Sequence, residues 1–298
     1  MAIIINPNRA PKALINLASS RTYDAGDSDY TATSLIEEPR IRILNRRHGS
    51  TVEKDPYANP WAYISLSLHK MHEVAATEDQ IAEQRIFTTF EGKKISGAMD
   101  VQTISTDDDF GKEVVIGDYK LTTVYAIKDV KKWEQQLNIY AWLVERNDPS
   151  IRVKRLEIYA FLRDWKISQS ESYKNYPSQP GITIDIPLWC FTKREEFVRE
   201  RIAIQEAAEA GELPECSHES RWPIGENFKV VKTGTTRAIA GHSKFKSMED
   251  AQSAMWALNN PEDHEVVHVF SGYRRCQSYC DISNHCDQWK ETQENTDG

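Results

Sequence analysis

Residues 96–123 read "SGAMDVQTISTDDDFGKEVVIGDYKLTT" and contain two β-strand patterns that each carry an acid. Asp100 lies in the first pattern, and Asp118 lies two residues before Lys120 in the second. Because side chains alternate along a strand, Asp118 and Lys120 project to one face, and a hairpin-like connection lets Asp100 reach the same place. Acids and a lysine are costly to bury unless they are paired or bind a metal. The stretch therefore indicates either a structural Asp–Lys pair beside an unrelated turn aspartate, or a site for Mg²⁺ or Mn²⁺, which prefer carboxylate oxygens.

The elements around this stretch predict an α/β fold. Helical periodicity occurs in residues 60–79, with an apolar stripe from Trp61 to Ala75, and in residues 129–147 and 193–211. Strand patterns occupy residues 84–92, 155–165 and 181–188. We expect three regions, which are an amino-terminal arm (1–58), a core (59–215) and a carboxy-terminal region (216–298) with an inserted strand–strand–helix–strand unit at about 226–270.

Composition indicates the cellular compartment of the protein and the kinds of partner that it binds. The chain has 298 residues and a formal net charge of −8, which argues weakly against a nucleic-acid partner unless basic residues are segregated. No stretch approaches the roughly 20 apolar residues of a membrane helix, and the amino terminus has no secretory pattern. These features predict a soluble, cytoplasmic protein that has no membrane partner.

Four of the five cysteines form a second candidate site. Cys276, Cys280 and Cys286 crowd into eleven residues, and Cys216 precedes them by sixty, whereas Cys190 stands alone and is expected to be buried. Metal ligation is favoured over disulfides in a chain without a secretion signal.

The order of four motifs resembles one enzyme family. "HKMHE" (69–73), "SGAMD" (96–100), "GDYK" (117–120) and "QQLNIYAWL" (135–143) are similar to the RecB-like branch of the PD-(D/E)XK nuclease superfamily. The resemblance covers about residues 60–165. It implies a restriction-endonuclease-like core, with a mixed central sheet flanked by helices and a small cysteine-bound carboxy-terminal subdomain.

The resemblance also implies a role for each matching residue. His69, Asp100, Asp118 and the backbone carbonyl of Tyr119 would bind Mg²⁺ or Mn²⁺, and Lys120 would activate water or stabilise the phosphate. Gln136 and Tyr140 would position the lysine and the DNA phosphate, and Gly97 would let its strand approach the site. Ser65 stands where the family usually has glycine, so His72 competes with His69. Glu83 matches an acidic position that is common in related sequences.

Some members of this branch end in a similar cysteine triplet. Cys216, Cys276, Cys280 and Cys286 would then hold a [4Fe–4S] cluster, with Zn²⁺ as the alternative because both take four thiolates. Here the first gap of the triplet is one residue longer than in the family, and Cys216 follows the nuclease motifs instead of preceding them.

The implied activity is metal-dependent hydrolysis of DNA phosphodiester bonds by an exonuclease. Likeness to phage-encoded relatives implies work in the host cytoplasm on DNA recombination, repair or degradation, with a recombination or helicase protein as a further partner. A structure-specific endonuclease and a catalytically silent DNA- or protein-binding module are the alternatives.

Overall fold

A computed structural model of the chain describes residues 2–19, 26–107, 111–211 and 213–296. Its strands are β1 (Ile3–Ile4), β2 (Tyr30–Thr31), β3 (Glu53–Lys54), β4 (Gln80–Phe90), β5 (Lys93–Asp107), β6 (Gly111–Thr122), β7 (Ile151–Leu162), β8 (Gly181–Ile186), β9 (Asn227–Lys232) and β10 (His264–Val269). Its α-helices are α1 (Lys12–Ser19), α2 (Ala32–Ile36), α3 (Pro39–His48), α4 (Pro60–Ala75), α5 (Lys131–Asn147), α6 (Ile167–Ser172), α7 (Phe191–Ala210), α8 (Met248–Trp256), α9 (Arg274–Ser278) and α10 (Asp287–Thr296). The chain divides into a first unit, Met1–Glu37 with Glu53–Glu212, and a second unit, Glu38–Val52 with Leu213–Gly298.

The first unit is built on a mixed sheet in the order β2–β5–β6–β7–β8, with β4 also paired to β5. Strands β6 and β7 are parallel, so the chain must cross over between them, and α5 lies in that connection. Strands β4 and β5 form an antiparallel hairpin whose turn, Glu91–Gly92, has positive φ at both positions. A turn of this kind matches the twist of the two strands and fixes their register.

Helix α5 lies in the core of the first unit. Every residue from Gln136 to Val144 is buried, because the helix contacts α2 and α7 as well as the sheet. The predicted apolar positions Leu137, Tyr140, Ala141 and Val144 are among these buried residues. The fold is therefore a mixed α/β arrangement with helices packed on a mixed central sheet.

Helix α4 differs from its predicted packing. The expected apolar stripe is largely exposed, with Trp61, Ile64 and Met71 at 43%, 48% and 70% of their maximum exposure. The helix contacts β4, β5 and β6 mainly through its polar side, which carries the histidines. Hydrophobic spacing predicted the helix correctly but assigned the wrong face to the sheet.

The second unit has its own small core. Its buried residues include Ile41 and Leu44 of α3 together with Tyr273, Ile282 and Trp289. Arg40 is buried there and donates to the carbonyls of Leu213 and Pro214 at 2.8 and 2.9 Å, and it forms an ion pair with Asp287. Residues 38–52 of the expected amino-terminal arm therefore pack with carboxy-terminal residues.

Two further expectations differ from the structure. In the insert, β9 pairs with β10 and α8 packs on both, but the predicted second strand is reduced to isolated bridges such as Val231–Ala238. Gly234 and Gly241, both with φ above 70°, interrupt that segment with turns. Cys190 is exposed at the start of α7, so the prediction that it is buried was wrong. No helix in the described part of the chain is long and apolar enough to cross a bilayer.

Candidate functional site

The candidate site lies on β5, between the residues that pair with β6 and the residues that pair with β2. The ladder between β5 and β6 runs from Asp107–Gly111 to Val101–Gly117, and β2 pairs with Ile95 and Ser96 further along β5. The next β5–β6 pair would be Asp100 with Asp118. Instead the strands separate, and the Asp100 carboxylate accepts a hydrogen bond of 2.7 Å from the Tyr119 backbone N–H. We call the place where β5 and β6 separate the fork. It brings both aspartates and the backbone of Tyr119 close together.

A compact group of metal-ligand types occupies this fork. Atom Nδ1 of His69 lies 3.3 Å from Asp100 Oδ1 and 3.4 Å from Glu83 Oε1. Ligand atoms of these three residues all lie within 4.8 Å of one another, and no other group of three or more His, Cys, Asp or Glu in the described residues does so. Helix α4 supplies the histidine, and the β4–β5 hairpin supplies the two acids. The geometry suits one small cation.

Glu83, which matches an acidic position that is common in related sequences, lies beside His69 in this group. Its φ of 50° lies in the left-handed region, which is uncommon for a residue with a side chain. Its neighbours Ala82 and Gln84 pair with Val101 and Met99, so Glu83 lies opposite Asp100. Strained backbone in mid-strand is typical of functional positions.

A second group of polar residues lies on the α5 side of the fork. Lys120 Nζ lies 2.6 Å from Asp118 Oδ2 and 3.5 Å from Gln136 Oε1. The amide of Gln136 donates to Asp118 Oδ1 at 3.4 Å and to the Tyr140 hydroxyl at 2.7 Å. The four predicted residues therefore form one network. Asp118 is not part of the group around His69, and its carboxylate pairs with the lysine.

The charges in the site are strongly perturbed. Hydrogen bonds with Asp100 and Glu83 raise the pKa of His69 to about 10. Burial raises the pKa of Asp118 to about 6, although the charge of Lys120 opposes this shift. Burial acts to lower the pKa of Lys120, but Asp118 outweighs it, so that pKa is raised. Perturbed pKa values in neighbouring groups are typical of functional sites.

Gly97 permits the close approach between β5 and α5. A Cβ atom at this position would lie 2.7 Å from atoms of both Tyr140 and Leu143. That distance is well inside van der Waals contact, so any side chain would push α5 away from the strand. The glycine therefore sets the distance at which the α5 residues meet Asp118 and Lys120.

His72 occupies a different position from His69. Its ring stacks on Tyr119, with centroids 3.7 Å apart and planes 4° apart. Burial and the neighbouring His69 lower its pKa. The structure thus places His69, rather than His72, beside the acids.

The four clustered cysteines converge in the second unit. Cys216, Cys276, Cys280 and Cys286 line one cavity, and the side chain of Gln288 fixes Cys216 with two backbone hydrogen bonds of 3.0 Å. Burial and nearby negative charge raise the pKa of Cys216 to about 12. Among the described residues, no three of these sulfur atoms lie within 4.8 Å of one another. A single zinc ion would hold them closer, because tetrahedral Zn–S bonds of about 2.3 Å put sulfur atoms roughly 3.8 Å apart.

Comparisons with known proteins give only distant likenesses. No family model matches the chain, and no curated protein matches it. Among solved structures, the protein SSO0001 has a TM-score of 0.39 and 14% identity, with 65% of this chain and 83% of that chain covered. A phage related exonuclease from Haemophilus somnus 129PT has a TM-score of 0.34 and 15% identity, with 58% and 82% covered.

Proposed function

We propose that the protein is a metal-dependent DNA nuclease of the RecB-like PD-(D/E)XK kind that acts as an exonuclease. One observation carries the proposal. The ligand atoms of His69, Glu83 and Asp100 lie within 4.8 Å of one another in a strand fork, and on the adjoining strand the buried Asp118 pairs with Lys120, whose side chain is partly exposed.

The donor set fits a hard divalent cation. Two carboxylates and one imidazole suit Mg²⁺ or Mn²⁺ better than a soft metal. His69, Glu83 and Asp100 would hold the ion, with the Tyr119 carbonyl and Asp118 as further ligands. A cation bound there would stabilise charge on a phosphate and acidify water.

The other residues of the site have tasks that follow from their contacts. Lys120 stays protonated beside Asp118, so it can donate to a phosphate oxygen on which charge develops. Gln136 contacts both members of that pair, and Tyr140 fixes Gln136 in turn. These contacts hold the lysine in one orientation, and such positioning is worth a large part of a rate enhancement.

We also propose that the four cysteines hold a [4Fe–4S] cluster. The convergence of the four cysteines on one cavity supports a shared metal centre, and four thiolates are the usual ligands of such a cluster. Its contribution would be structural, because it would cross-link Cys216 to the carboxy-terminal triplet.

Digestion of end-labelled linear DNA and of covalently closed circular DNA, each with Mg²⁺ or Mn²⁺, tests the nuclease proposal. An exonuclease releases the label and spares the circle. Cleavage of the circle would indicate an endonuclease. Asp100→Asn should abolish cleavage and weaken Mn²⁺ binding, and unchanged calorimetric Mn²⁺ affinity would mean that the aspartate is structural.

A further inference from the structure

Three arginines line the same cavity as the four cysteines of the second unit. They are Arg40, Arg221 and Arg275, and among the described residues no acidic side chain is part of that lining. The charge of Arg40 is already balanced, because Arg40 forms an ion pair with Asp287. The cavity therefore combines thiol groups with positive charge.

Arg221 is buried, and its side-chain partners in the described part of the chain are uncharged. Its guanidinium carbon lies 3.5 Å from the centroid of the Tyr273 ring, and Nη2 donates to the Thr292 hydroxyl at 2.6 Å. Its Nε is buried and has no acceptor among the described residues. Arginine is almost never fully buried unless it is paired, because a buried charge loses its hydration. The contacts of Arg221 therefore indicate that an anionic group belongs in this cavity.

The partners of Arg221 also contact the cysteines or the residues that hold them. Thr292, which accepts from Nη2, donates in turn to the carbonyl of Gln288 at 2.7 Å. The side chain of Gln288 fixes Cys216 with two hydrogen bonds of 3.0 Å. Tyr273, on which the guanidinium lies, packs in the same apolar cluster as all four cysteines. Arg221 is thus part of the framework that holds the cysteines.

Arg275 lies close enough to the cysteines for its charge to act on them. Burial raises the pKa of Cys216 and of Cys280, and the charge of Arg275 opposes the rise in both. Arg275 directly precedes Cys276, and its Nη1 donates to the carbonyl of Ser220 at 3.3 Å. That hydrogen bond joins the segment after Cys216 to the cysteine triplet.

We propose that Arg221 and Arg275 balance the charge of an anionic metal centre held by the four cysteines. The inference rests on the proposal that these cysteines share a metal. Metals take cysteine as thiolate, so four ligands bring four negative charges, and Zn²⁺ would cancel only two of them. An iron–sulfur core held by four thiolates is anionic as well, and its reduction potential depends on nearby charge. The two guanidinium groups supply the positive charge that such a centre needs.

A comparison of Arg221→Met with Arg221→Lys isolates the charge, because both variants lose the planar guanidinium and only the lysine stays cationic. Competition with a chromophoric chelator, on the full chain, measures the affinity for Zn²⁺. Arg221→Met should weaken it roughly 10- to 100-fold, the usual cost of removing an outer partner of a metal site. Arg221→Lys should retain most of the affinity. If the purified protein contains iron and sulfide, its reduction potential should fall in Arg221→Met and not in Arg221→Lys, because a nearby cation favours the more negative, reduced form.

Arg275→Gln is the second variant, because Arg275 is only partly buried and can be replaced without opening the core. It should change the affinity and the potential in the same direction as Arg221→Met. Arg274→Gln, at the exposed position next to it and outside the cavity lining, is the matched control and should behave like the wild type.

Two results would overturn the charge-balancing role while the metal centre stands. One is equal losses in Arg221→Met and Arg221→Lys, which would make the role of Arg221 structural. The other is wild-type affinity and potential in both Arg221→Met and Arg275→Gln. Wild-type protein that contains neither iron nor zinc and takes up no Zn²⁺ would instead remove the metal centre itself, and the inference with it.

Discussion

At the scale of single residues, Lys120 is the group whose removal tests the chemistry most directly. Lys120→Ala should leave the fold and Mn²⁺ binding in place and lower the rate of DNA cleavage roughly 10²–10³-fold, the usual worth of a positioned donor to developing negative charge. Quenched-flow or gel assays of end-labelled DNA measure the rate. Lys290→Ala, at an exposed position of the second unit, should retain wild-type activity. Wild-type activity in the Lys120 variant would show that this lysine has no catalytic role.

The role of His69 as a metal ligand can be tested by measuring the protons released when Mn²⁺ binds, instead of a reaction rate. Asp100 and Glu83 raise its pKa to about 10, so it is protonated at neutral pH in the metal-free protein. A metal takes the neutral imidazole, so Mn²⁺ binding should release about one proton, and affinity should rise as pH rises toward that pKa. Calorimetry in buffers of different ionisation enthalpy counts the proton.

The matched variants for this measurement are His69→Gln and His72→Gln. Only the first should abolish proton release, because His72 stacks on Tyr119 and does not contact the acids. The opposite result would make His72 the ligand. In the metal-free protein the raised pKa also stabilises the fold. That contribution is fully present below the ordinary value of 6.5 and is lost as pH rises through about 10.

The position of Glu83 shows how far the sequence could specify this site. The β4–β5 turn contains only Glu91 and Gly92, so counting back from the Phe90–Lys93 pair sets Glu83 opposite Asp100. The two-residue Glu-Gly turn therefore determines which residues of β4 and β5 lie opposite each other. The left-handed φ of Glu83, which is unusual in mid-strand, could not be predicted because no local pattern requires it.

At the scale of elements, strand and helix periodicity predicted the parts of the first unit but not all of their faces. Helix α5 matched its pattern because its apolar positions pack between the sheet and other helices. Helix α4 did not, because its histidines turn toward the fork and leave Trp61 and Met71 exposed. Hydrophobic spacing alone cannot show which face of such a helix packs on the sheet.

The contact between β5 and α5 depends on Gly97, and Gly97→Ala tests it. The new Cβ would lie 2.7 Å from Tyr140 and Leu143. We expect a loss of roughly 1–3 kcal/mol in unfolding free energy, as for overpacked cores, together with reduced cleavage because Gln136 shifts with the helix. Denaturant titration measures the first effect and DNA digestion the second.

Gly211→Ala is the control for this variant. Gly211 has a φ of −140°, and a Cβ there would be in ordinary contact with the carbonyl oxygen of Ala207 at 3.6 Å, so stability should change little. Equal stability of the Gly97 variant and the wild type would mean that α5 can withdraw without cost. In that case the glycine would not set the geometry of the site.

At the scale of the whole molecule, the chain forms its second unit from segments that are far apart in sequence. Arg40 contacts Leu213 and Asp287, which are 173 and 247 residues away. Local patterns carry no information about such pairings, so α3 was expected to belong to an amino-terminal arm. The cysteine spacing did carry long-range information, because shared chemistry predicted that Cys216 meets the triplet.

Metal binding by the four cysteines should contribute directly to the folding of the second unit, because a ligand held by the native state alone stabilises it. Cys216→Ser should lower the melting temperature and the solubility while the residues of the catalytic site stay intact. Each kcal/mol lost from a unit of about 100 residues lowers its melting temperature by roughly 4–8 °C. Differential scanning calorimetry measures the change, and Cys190→Ser, at the exposed cysteine of the first unit, is the matched control.

The identity of the bound metal distinguishes an iron–sulfur cluster from a zinc site and from cysteines that bind no metal. Protein purified without oxygen should be brown and contain iron and sulfide if a cluster is present. Cys216→Ser should lose that colour, and Cys190→Ser should keep it. Colourless protein with stoichiometric zinc would assign a zinc site, since zinc also takes four thiolates. Elemental analysis that finds neither metal, in protein never exposed to chelator or oxygen, would leave four ordinary thiols in a small core.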